Sequence, residues 1–415
     1  MRTVLVTGPG GAGRSTVAAA TALAASRAGA RVLLLGTDRD GTLGAVLGAT
    51  EDPLPAATAP LEAAPGLWAA RVDSAAGFRA ELIALQDRAA TALDLLGANA
   101  LDAEELTELP GSEPLALLRT LRTACTAGSG PAGTSAAPAG GPGAYDLVVV
   151  DMPPTHTALA TLALPGQLRR YLRRLLPPER QAARSLRPML AQLAGVPMPA
   201  QWLYETTARW EGELAATQAV VESPALSVRL VVEPGPAAAD ALRTARTGLA
   251  LHGLALDTVV ANRVLPTATQ DPWLAAFSAR QQTHLKEVHE GSGAVRELPH
   301  LGYEPRGTEE LAPLAQALRH GDRDGAPAPV PERTVEDRLA DDGVLVWHLP
   351  LPGARRSELQ LVRRGDELVL TVGEFRRLLP LPSALRRCTV SGAALTDGVL
   401  RVRFTPDPGL WPRGR

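Results

Sequence analysis

Gly8-Pro9-Gly10-Gly11-Ala12-Gly13-Arg14-Ser15-Thr16 is a glycine-rich segment between the apolar Arg2-Thr3-Val4-Leu5-Val6-Thr7 and an alanine-rich stretch, residues 15–27. The apolar residues predict a buried strand, and the alanine-rich stretch predicts a helix. Glycines between a strand and a helix N-terminus let backbone N–H groups surround a phosphate. The segment fits the pattern G-x-x-x-x-G-K-[ST], except that Arg14 occupies the lysine position. It therefore predicts nucleotide binding and argues against efficient hydrolysis.

Strand-like and helix-like segments continue to alternate along the chain, which predicts an α/β fold with a doubly wound, mostly parallel sheet. Further strands are predicted at Arg31–Leu35, Leu67–Val72, Tyr145–Asp151, Val228–Val232 and Leu256–Asn262. Helices are predicted at 76–98 and 114–125 and through a helical subdomain at 166–222. Residues 126–144 are almost all Gly, Ala, Ser, Thr and Pro, a composition that predicts a flexible insertion.

The C-terminal part of the sequence has a different pattern. Residues 321–333 are rich in proline and charge and predict a linker after an α/β domain at 1–320. Short strands separated by turn residues predict a small all-β sandwich at 334–406, followed by a tail at 407–415. The predicted strands are Val344–Leu349, Glu358–Val362, Glu367–Val372, Arg376–Leu379 and Val399–Phe404.

The composition is typical of a globular protein, since 45% of the 415 residues are hydrophobic and 21% are charged. A net charge of −2 argues against general binding of nucleic acid or of anionic membranes. The two cysteines form no C-x-x-C pair, which argues against a thiolate zinc site. No uncharged apolar run reaches about 18 residues and no signal peptide is evident, so we expect a cytoplasmic protein without a membrane span.

Three side chains in these motifs provide candidates for metal and nucleotide chemistry. In phosphate-loop proteins the hydroxyl after the loop cation binds Mg²⁺, and here that residue is Ser15. Asp151 ends a predicted strand and is a candidate for the same metal site. Asp38 follows another strand and is a candidate to orient a water towards the γ-phosphate. Acidic residues at strand ends are also common turn and cap residues, and this alternative remains open.

The glycine-rich segment resembles the deviant Walker A sequence G-K-G-G-V-G-K-T-T of the ArsA-like ATPases. That family includes the arsenite-pump ATPase and the targeting factor for tail-anchored membrane proteins. Four further segments resemble family motifs in the same order, over roughly residues 1–320. They are Thr37-Asp38 with Leu43 (first switch), Glu108-Leu109-Pro110-Gly111, residues 151–165 (second switch) and Asn262-Arg263-Val264-Leu265-Pro266. Five segments in order are far more specific than any single one.

The resemblance implies ATP or ADP with Mg²⁺ as cofactors, a catalytic Asp38, and metal contacts from Ser15 and Asp151. It implies nucleotide contacts from Gly8, Gly10, Gly11, Ala12, Gly13, Arg14, Ser15, Thr16 and Asn262, the last of them to adenine. It also implies a homodimer whose helical insertion forms an apolar groove for hydrophobic client segments. The apolar residues of this insertion are Leu175, Leu176, Leu186, Met189, Leu190, Leu193, Val196, Met198, Trp202 and Leu203. Ordinary packing of helices on the sheet is the alternative.

Departures from the family pattern bear on activity. The family's signature lysine, which reaches the partner's nucleotide across the dimer, is Pro9 here, and the loop lysine is Arg14. Lys286 is the single lysine of the chain, so base composition explains Arg14 but not Pro9. His156 and Thr157 replace the glycine and histidine of the second switch. Arginine binds phosphate through a bulkier, planar head group. We therefore expect nucleotide binding with weak or absent hydrolysis, and whether the chain is an ATPase stays open.

The C-terminal unit resembles the α-crystallin domain of small heat-shock proteins. The similar segments are Leu349–Gly353, Leu379–Pro382 and Ala394–Val402, the last of which fits A-x-L-x-x-G-V-L-x-[VI]. The short stretch between Val372 and Phe375 argues against the long strand-swapping loop of many such dimers. A structural cap on the ATPase domain is the alternative role for this unit.

Three functional hypotheses follow from these motifs. The first is a nucleotide-controlled chaperone or targeting factor. The second is a catalytically inactive pseudo-ATPase that acts as a binding scaffold. A positioning ATPase related to the MinD and ParA group is a third hypothesis, and the Asn262–Pro266 segment and the β unit argue against it.

Overall fold

The computed structural model describes residues 1–37, 41–49, 54–96, 100–126, 144–175, 200–319 and 330–411. The chain divides into two compact units. The first consists of Met1–Thr3, Ala25–Val150 and Ala160–Ala225, and the second of Val4–Ala24, Asp151–Leu159 and Leu226–Arg415. The second unit thus contains both the glycine-rich segment and the C-terminal β region, residues 330–411.

The described α/β part contains the strands β1 (Arg2–Thr7), β2 (Val32–Gly36), β3 (Leu61–Ala64), β4 (Leu67–Arg71), β5 (Leu147–Asp151), β6 (Leu226–Val232), β7 (Ala255–Val264) and β8 (Val295–Pro299). These strands form one sheet in the order β3-β4-β2-β5-β1-β6-β7-β8. Strand β2 pairs with β4, β6 with β7, and β7 with β8 in parallel, whereas β3 pairs with β4 in the antiparallel sense. The α/β fold with a mostly parallel sheet is confirmed.

The described helices of this part are α1 (Arg14–Arg27), α2 (Thr42–Leu47), α3 (Ser74–Leu96), α4 (Ser112–Thr126), α5 (Thr155–Leu175), α6 (Ala200–Val221), α7 (Ala238–His252), α8 (Pro272–Glu290) and α9 (Ala312–Arg319). Helix α1 begins directly after the glycine-rich segment, as the sequence predicts. Helix α5 contains Pro165 and begins well before the predicted boundary at residue 166. Proline lacks a backbone donor and strains the preceding turn, yet here the helix continues through it.

The central strands are short apolar runs because both faces of a doubly wound sheet are covered. Residues 4–6, 33–35 and 148–150 are each at most 3% exposed. Arg229 in β6 is an exception, since it is charged and only 1% exposed. Its Nε donates to Asp257 Oδ2 at 2.8 Å, and its Nη1 donates to Thr21 Oγ1 at 3.0 Å. The buried cation is therefore paired and hydrogen-bonded, as a charge in a protein interior must be.

The predicted helical subdomain at 166–222 is described only in part. Helices α5 and α6 are joined by ion pairs in which Arg169 Nη2 and Arg173 Nη2 lie 3.0 Å and 2.7 Å from Glu211 Oε1. Residues 176–199 lie outside the described residues, as do most of the predicted insertion at 126–144 and most of the predicted linker at 321–333. Within the described part, no helix is both long and apolar enough to cross a membrane.

The C-terminal β region contains β9 (Thr334–Arg338), β10 (Val344–Pro350), β11 (Leu359–Arg364), β12 (Glu367–Val372), β13 (Phe375–Pro380), a short helix α10 (Ser383–Arg386), β14 (Cys388–Thr396) and β15 (Val399–Pro406). They form two antiparallel sheets, β14-β15-β10-β9 and β11-β12-β13. Burial alternates along β12 and β15, the pattern of strands that place one face on a core. The all-β unit is confirmed, and β9 was missed because its polar residues are mostly exposed.

Helix α7 packs against the β region within the second unit. Arg243 Nη1 lies 3.2 Å from Glu358 Oε2 and also donates to Gly353 O at 3.0 Å. Thr247 Oγ1 donates to Pro352 O at 2.7 Å. Both the ion pair and the side-chain to backbone bonds hold the β region on one face of the helix.

Two arginines of the β region bind the last turn of α7. Arg333 Nη2 and Arg377 Nη1 each donate to Leu251 O at 2.8 Å, where cations stabilise the unpaired carbonyls of a helix end. The neighbouring His252 is half-buried and lies within electrostatic range of both guanidinium groups. Burial and the charges of Arg377 and Arg333 lower the pKa of His252 to about 3.

Acid is expected to weaken the fold through His252. The unfolded chain takes up this proton below its ordinary pKa of 6.5, whereas the folded protein takes it up only near pH 3. Stability therefore falls as the pH falls through this window, by roughly 3 kcal/mol at about pH 4.5. His252→Gln should flatten the pH dependence of the unfolding free energy in urea titrations. Equal pH slopes for wild type and His252→Gln would contradict this expectation.

Candidate functional site

The glycine-rich segment forms a loop between β1 and α1 that depends on its glycines. A Cβ at Gly8 would lie 2.0 Å from Val231 O, so only glycine fits there. Gly11 and Gly13 have φ values of +81° and +84°, in the left-handed region that favours glycine. A Cβ at Gly10 or Gly11 would meet nothing within 4 Å, so the loop is open at these residues.

Two side chains at the end of β7 hold carbonyl groups of this loop. Asn262 is 3% exposed and donates from Nδ2 to Ala12 O at 2.9 Å. Arg263 donates from Nη1 to Gly11 O at 3.1 Å and to Glu233 Oε2 at 3.2 Å. These loop carbonyls are therefore engaged by protein donors. The Asn262–Pro266 segment, which the sequence linked to the glycine-rich segment only by motif order, is in direct contact with it.

The backbone donors of the loop suit an anion. The N–H groups of Gly10, Gly11 and Gly13 donate to no acceptor among the described residues. Successive backbone N–H groups next to a left-handed residue form a concave anion-binding nest, and the N-terminus of α1 adds positive potential. The residues therefore fit the phosphate groups of a nucleotide, as the sequence predicts for Gly8 to Thr16.

Arg14 is the first residue of α1, and its side chain lies against the end of β5. Its Nη1 donates to Met152 O. Thr7 Oγ1, at the end of β1, donates to Pro153 O at 2.7 Å. Arg14 thus links the loop to the residues after β5, and its guanidinium binds a backbone carbonyl of the protein. The sequence identified Arg14 as a loop cation but gave no sign of this contact.

The two predicted metal ligands lie on either side of this contact. Ser15 is half-buried in the first turn of α1, and Asp151 is the last residue of β5 and 3% exposed. Met152 N donates to Val6 O at 2.9 Å, which brings the residue after Asp151 to the end of β1. The described residues contain no group of three or more His, Cys, Asp or Glu arranged for a metal. A Mg²⁺ site does not require such a group, because Mg²⁺ is usually held by one or two protein ligands together with phosphates and waters. The predicted catalytic residue Asp38 lies outside the described residues.

Gln281 of α8 fixes the backbone that carries Asn262 and Arg263. Its Oε1 accepts from Leu265 N at 2.8 Å, and its Nε2 donates to Arg263 O at 2.9 Å. Arg263 has a φ of +60°, which is costly for a residue with a side chain. Both hydrogen bonds therefore stabilise an unfavourable conformation that directs Arg263 to the loop. The sequence analysis missed Gln281, since a lone glutamine in an amphipathic helix carries no motif.

Gln281→Leu is expected to lower the free energy of unfolding by about 1–3 kcal/mol, because it leaves the Leu265 N–H and the Arg263 carbonyl without partners. Urea unfolding monitored by circular dichroism measures this loss. The neighbouring Gln282 is the matched control, since its side chain makes no hydrogen bond to the described residues. If Gln281→Leu and Gln282→Leu unfolded at the same urea concentration, the role given to Gln281 would be wrong.

Comparisons with known proteins place these observations in a family. The family model described as anion-transporting ATPase (ArsA) matches residues 1–320, and the model described as HSP20-like domain found in ArsA matches residues 342–404. An uncharacterized protein of Streptomyces coelicolor is 60% identical over the whole of both chains. A protein of Mycobacterium tuberculosis is 30% identical over 99% of this chain and 97% of its own.

A more distant relative carries a functional name. A protein of Aquifex aeolicus, named as a candidate arsenical pump-driving ATPase, is 24% identical over 93% of this chain and 95% of its own. The glycine loop, its contacts with Asn262 and Arg263, and the two matching models lead to the same conclusion. The chain belongs to the ArsA family of anion-transporting ATPases and carries a C-terminal HSP20-like domain.

Proposed function

We propose that this protein binds ATP or ADP with Mg²⁺ in the loop Gly8–Thr16 and uses the bound nucleotide to control an interaction with hydrophobic client segments. The observation that carries the proposal is the loop itself: the N–H groups of Gly10, Gly11 and Gly13 donate to no acceptor among the described residues, while Asn262 and Arg263 hold loop carbonyls. The family match supports ATP as the nucleotide. Asn262 is the proposed adenine contact, from an amide that already contacts Ala12 O.

Ser15 and Asp151 are the proposed protein ligands of Mg²⁺, Asp151 through the water shell, and Asp38 is the proposed residue that orients an attacking water. Bound Mg²⁺ would neutralise negative charge on the phosphate oxygens as the terminal phosphate leaves. The residues of this chain position the nucleotide and its metal. The loop N–H groups bind the phosphates, and the ends of β1 and β5 fix the two metal ligands. Thr16 and Ala12 contribute loop backbone.

Hydrolysis is proposed to be slow. Pro9 cannot supply the cation that family members extend to the partner's nucleotide, and Arg14 donates to Met152 O. A guanidinium held by a backbone carbonyl must exchange that bond before it can bind a phosphate. This contact favours a second candidate function, in which the nucleotide is a fixed ligand of a binding scaffold and no turnover occurs.

Phosphate release from ATP distinguishes the two candidates. We expect a low wild-type rate that disappears in Asp38→Asn, and a rate at least about tenfold higher in a Pro9→Lys/Arg14→Lys double variant. The double variant tests whether the rest of the site is intact. A wild-type rate equal to that of Asp38→Asn would instead establish the scaffold function.

The client surface is proposed on the helical subdomain of residues 166–222. Tyr171 and Leu175 of α5 and Trp210 of α6 are 51%, 78% and 46% exposed. Large exposed apolar side chains on neighbouring helices are typical of a binding surface. We propose that a homodimer joins two such surfaces when nucleotide binds.

A labelled apolar helical peptide tests the client surface. Binding measured by fluorescence anisotropy should strengthen with nucleotide and fall at least about fivefold in Leu175→Glu. Leu410→Glu is the matched control, because Leu410 is 61% exposed and lies in the C-terminal β region. Sedimentation of the same samples should show dimers with nucleotide. Equal peptide binding by both variants would reject the proposed surface.

A further inference from the structure

The ring of Phe375, at the start of β13, contacts the beginning of α5. The ring centroids of His156 and Phe375 are 5.8 Å apart with an interplanar angle of 32°. Phe375 is 6% exposed, whereas His156 is exposed. His156 stands where the family's second switch has glycine, so a departure noted in the sequence coincides with a contact from the C-terminal β region.

The same ring is inserted between α5 and α7. A Cβ at Gly248 of α7 would lie 2.5 Å from Leu159 Cδ1 and 2.9 Å from Phe375 Cε2. Gly248 is therefore needed for the ring to approach so closely, because any larger residue would displace one of these two neighbours. Leu159 and Gly248 are both buried, so the ring of Phe375 packs against apolar neighbours that are closed to solvent.

The β region cannot easily withdraw this ring, because α7 holds it at several points. Arg243 forms an ion pair with Glu358. Thr247, which precedes Gly248 in α7, donates a hydrogen bond to Pro352 O. Arg377, on the same strand as Phe375, binds the last turn of α7. The position of Phe375 is therefore fixed relative to α7.

The segment Asp151–Leu159 is thus held at both ends. At its beginning, Arg14 and Thr7 bind the carbonyls of Met152 and Pro153. At its end, Phe375 packs on His156 and close to Leu159. A short segment fixed at two points transmits a displacement from one point to the other, since little chain lies between them to absorb it.

We propose that Phe375 is a positioning residue of the nucleotide site: it fixes the Asp151–Leu159 segment and thereby couples the HSP20-like domain to Mg²⁺-nucleotide binding. This inference rests on the proposed function, because it takes the loop as the nucleotide site. A nucleotide whose Mg²⁺ is held by Asp151 would displace this segment and thereby change the packing of Phe375. Coupling of this kind is reciprocal: the factor by which bound Mg²⁺-nucleotide changes the stability of the Phe375 contact is also the factor by which loss of the contact changes the affinity for Mg²⁺-nucleotide.

The test compares wild type, Phe375→Leu, His156→Gly and the double variant, all as full chains. We expect each single variant to lower the affinity for Mg²⁺ with a non-hydrolysable ATP analogue by roughly 5- to 10-fold. The double variant should bind this analogue no more weakly than the weaker-binding single variant, because both substitutions remove the same contact between His156 and Phe375. Affinity for ADP without Mg²⁺ should change by less than about twofold, since that ligand does not engage Asp151.

Phe404→Leu is the matched control. Phe404 is fully buried in β15 of the same domain, so its replacement weakens the domain core without touching His156. It should leave both affinities as in wild type. Equal losses in Phe375→Leu and Phe404→Leu, or fully additive losses in the double variant, would overturn the proposal.

Hydrogen exchange gives a readout that needs no nucleotide. In the free protein, Phe375→Leu should speed exchange of the amides at the start of α5, including Ala158 N, which donates to Pro154 O at 2.9 Å. Phe404→Leu should leave these amides as in wild type. Unchanged exchange in Phe375→Leu would overturn the positioning role. A wild type that bound no nucleotide but showed this exchange difference would overturn the proposed function and the coupling, and leave only the packing contact.

Discussion

Replacing Arg229 with alanine is expected to lower the free energy of unfolding by about 3–5 kcal/mol. Arg229 and Asp257 are 2% and 5% exposed at their side chains, and Arg229 Nη2 lies 2.7 Å from Asp257 Oδ2. Removing the guanidinium leaves the buried Asp257 carboxylate of β7 without the Arg229 cation, and it also removes the donor to Thr21. Urea unfolding followed by circular dichroism measures the loss.

Two variants separate burial of the charge from simple loss of packing. An Arg229→Met/Asp257→Leu double variant should recover most of the stability, because replacing both members of a buried ion pair by apolar residues is often neutral. Arg31→Ala, which breaks the exposed pair with Asp146, should leave the unfolding midpoint nearly unchanged. If Arg229→Ala were as stable as Arg31→Ala, the pair would not contribute as described.

Gly13→Ala is expected to weaken nucleotide binding by roughly 100-fold, which corresponds to about 2.7 kcal/mol. The alanine must adopt a φ of +84°, and its Cβ would lie 2.3 Å from Asn262 Nδ2. Asn262 must therefore move away from Ala12 O, which frees a carbonyl to turn towards the phosphates. Titration of wild type and variant with ADP measures the ratio of their dissociation constants.

Gly29→Ala is the matched control for the backbone strain. Gly29 has a φ of +94°, it follows the other end of α1, and a Cβ there would meet nothing within 4 Å. The Gly29→Ala variant has a similar backbone strain at a positive φ but leaves Asn262 in place. Its affinity for ADP should therefore match that of wild type. Similar affinities for Gly13→Ala and Gly29→Ala would show that the loop does not depend on Asn262.

Local pattern predicted the elements around the loop well. The run before Gly8 is apolar and rich in β-branched residues, the run after Gly13 is rich in alanine, and β1 and α1 lie there. Strands β3 and β8 were missed because they lie at the edges of the sheet, are only partly buried and contain charged residues. The start of α5 was missed because residues 151–165 were assigned to the second switch, whereas the helix begins at Thr155.

The long-range contacts of the site could not be predicted from spacing. The sequence named Asn262 through its motif, but the bond to Ala12 O depends on β7 lying two strands from β1. Arg14 was identified by its place in the loop, yet its direction towards Met152 is set by the neighbouring end of β5. Gln281 and Phe375 belong to no motif, and only the folded chain brings them to the site.

The central claim is that the loop Gly8–Thr16 binds a nucleotide. Isothermal titration calorimetry of the folded, full-length protein with ADP, and with ATP and Mg²⁺, tests it most directly. The account predicts one nucleotide per chain with a dissociation constant on the order of micromolar, and a dissociation constant roughly 100-fold larger in Gly13→Ala but not in Gly29→Ala. No binding heat for either nucleotide, at concentrations up to about 1 mM, would contradict it.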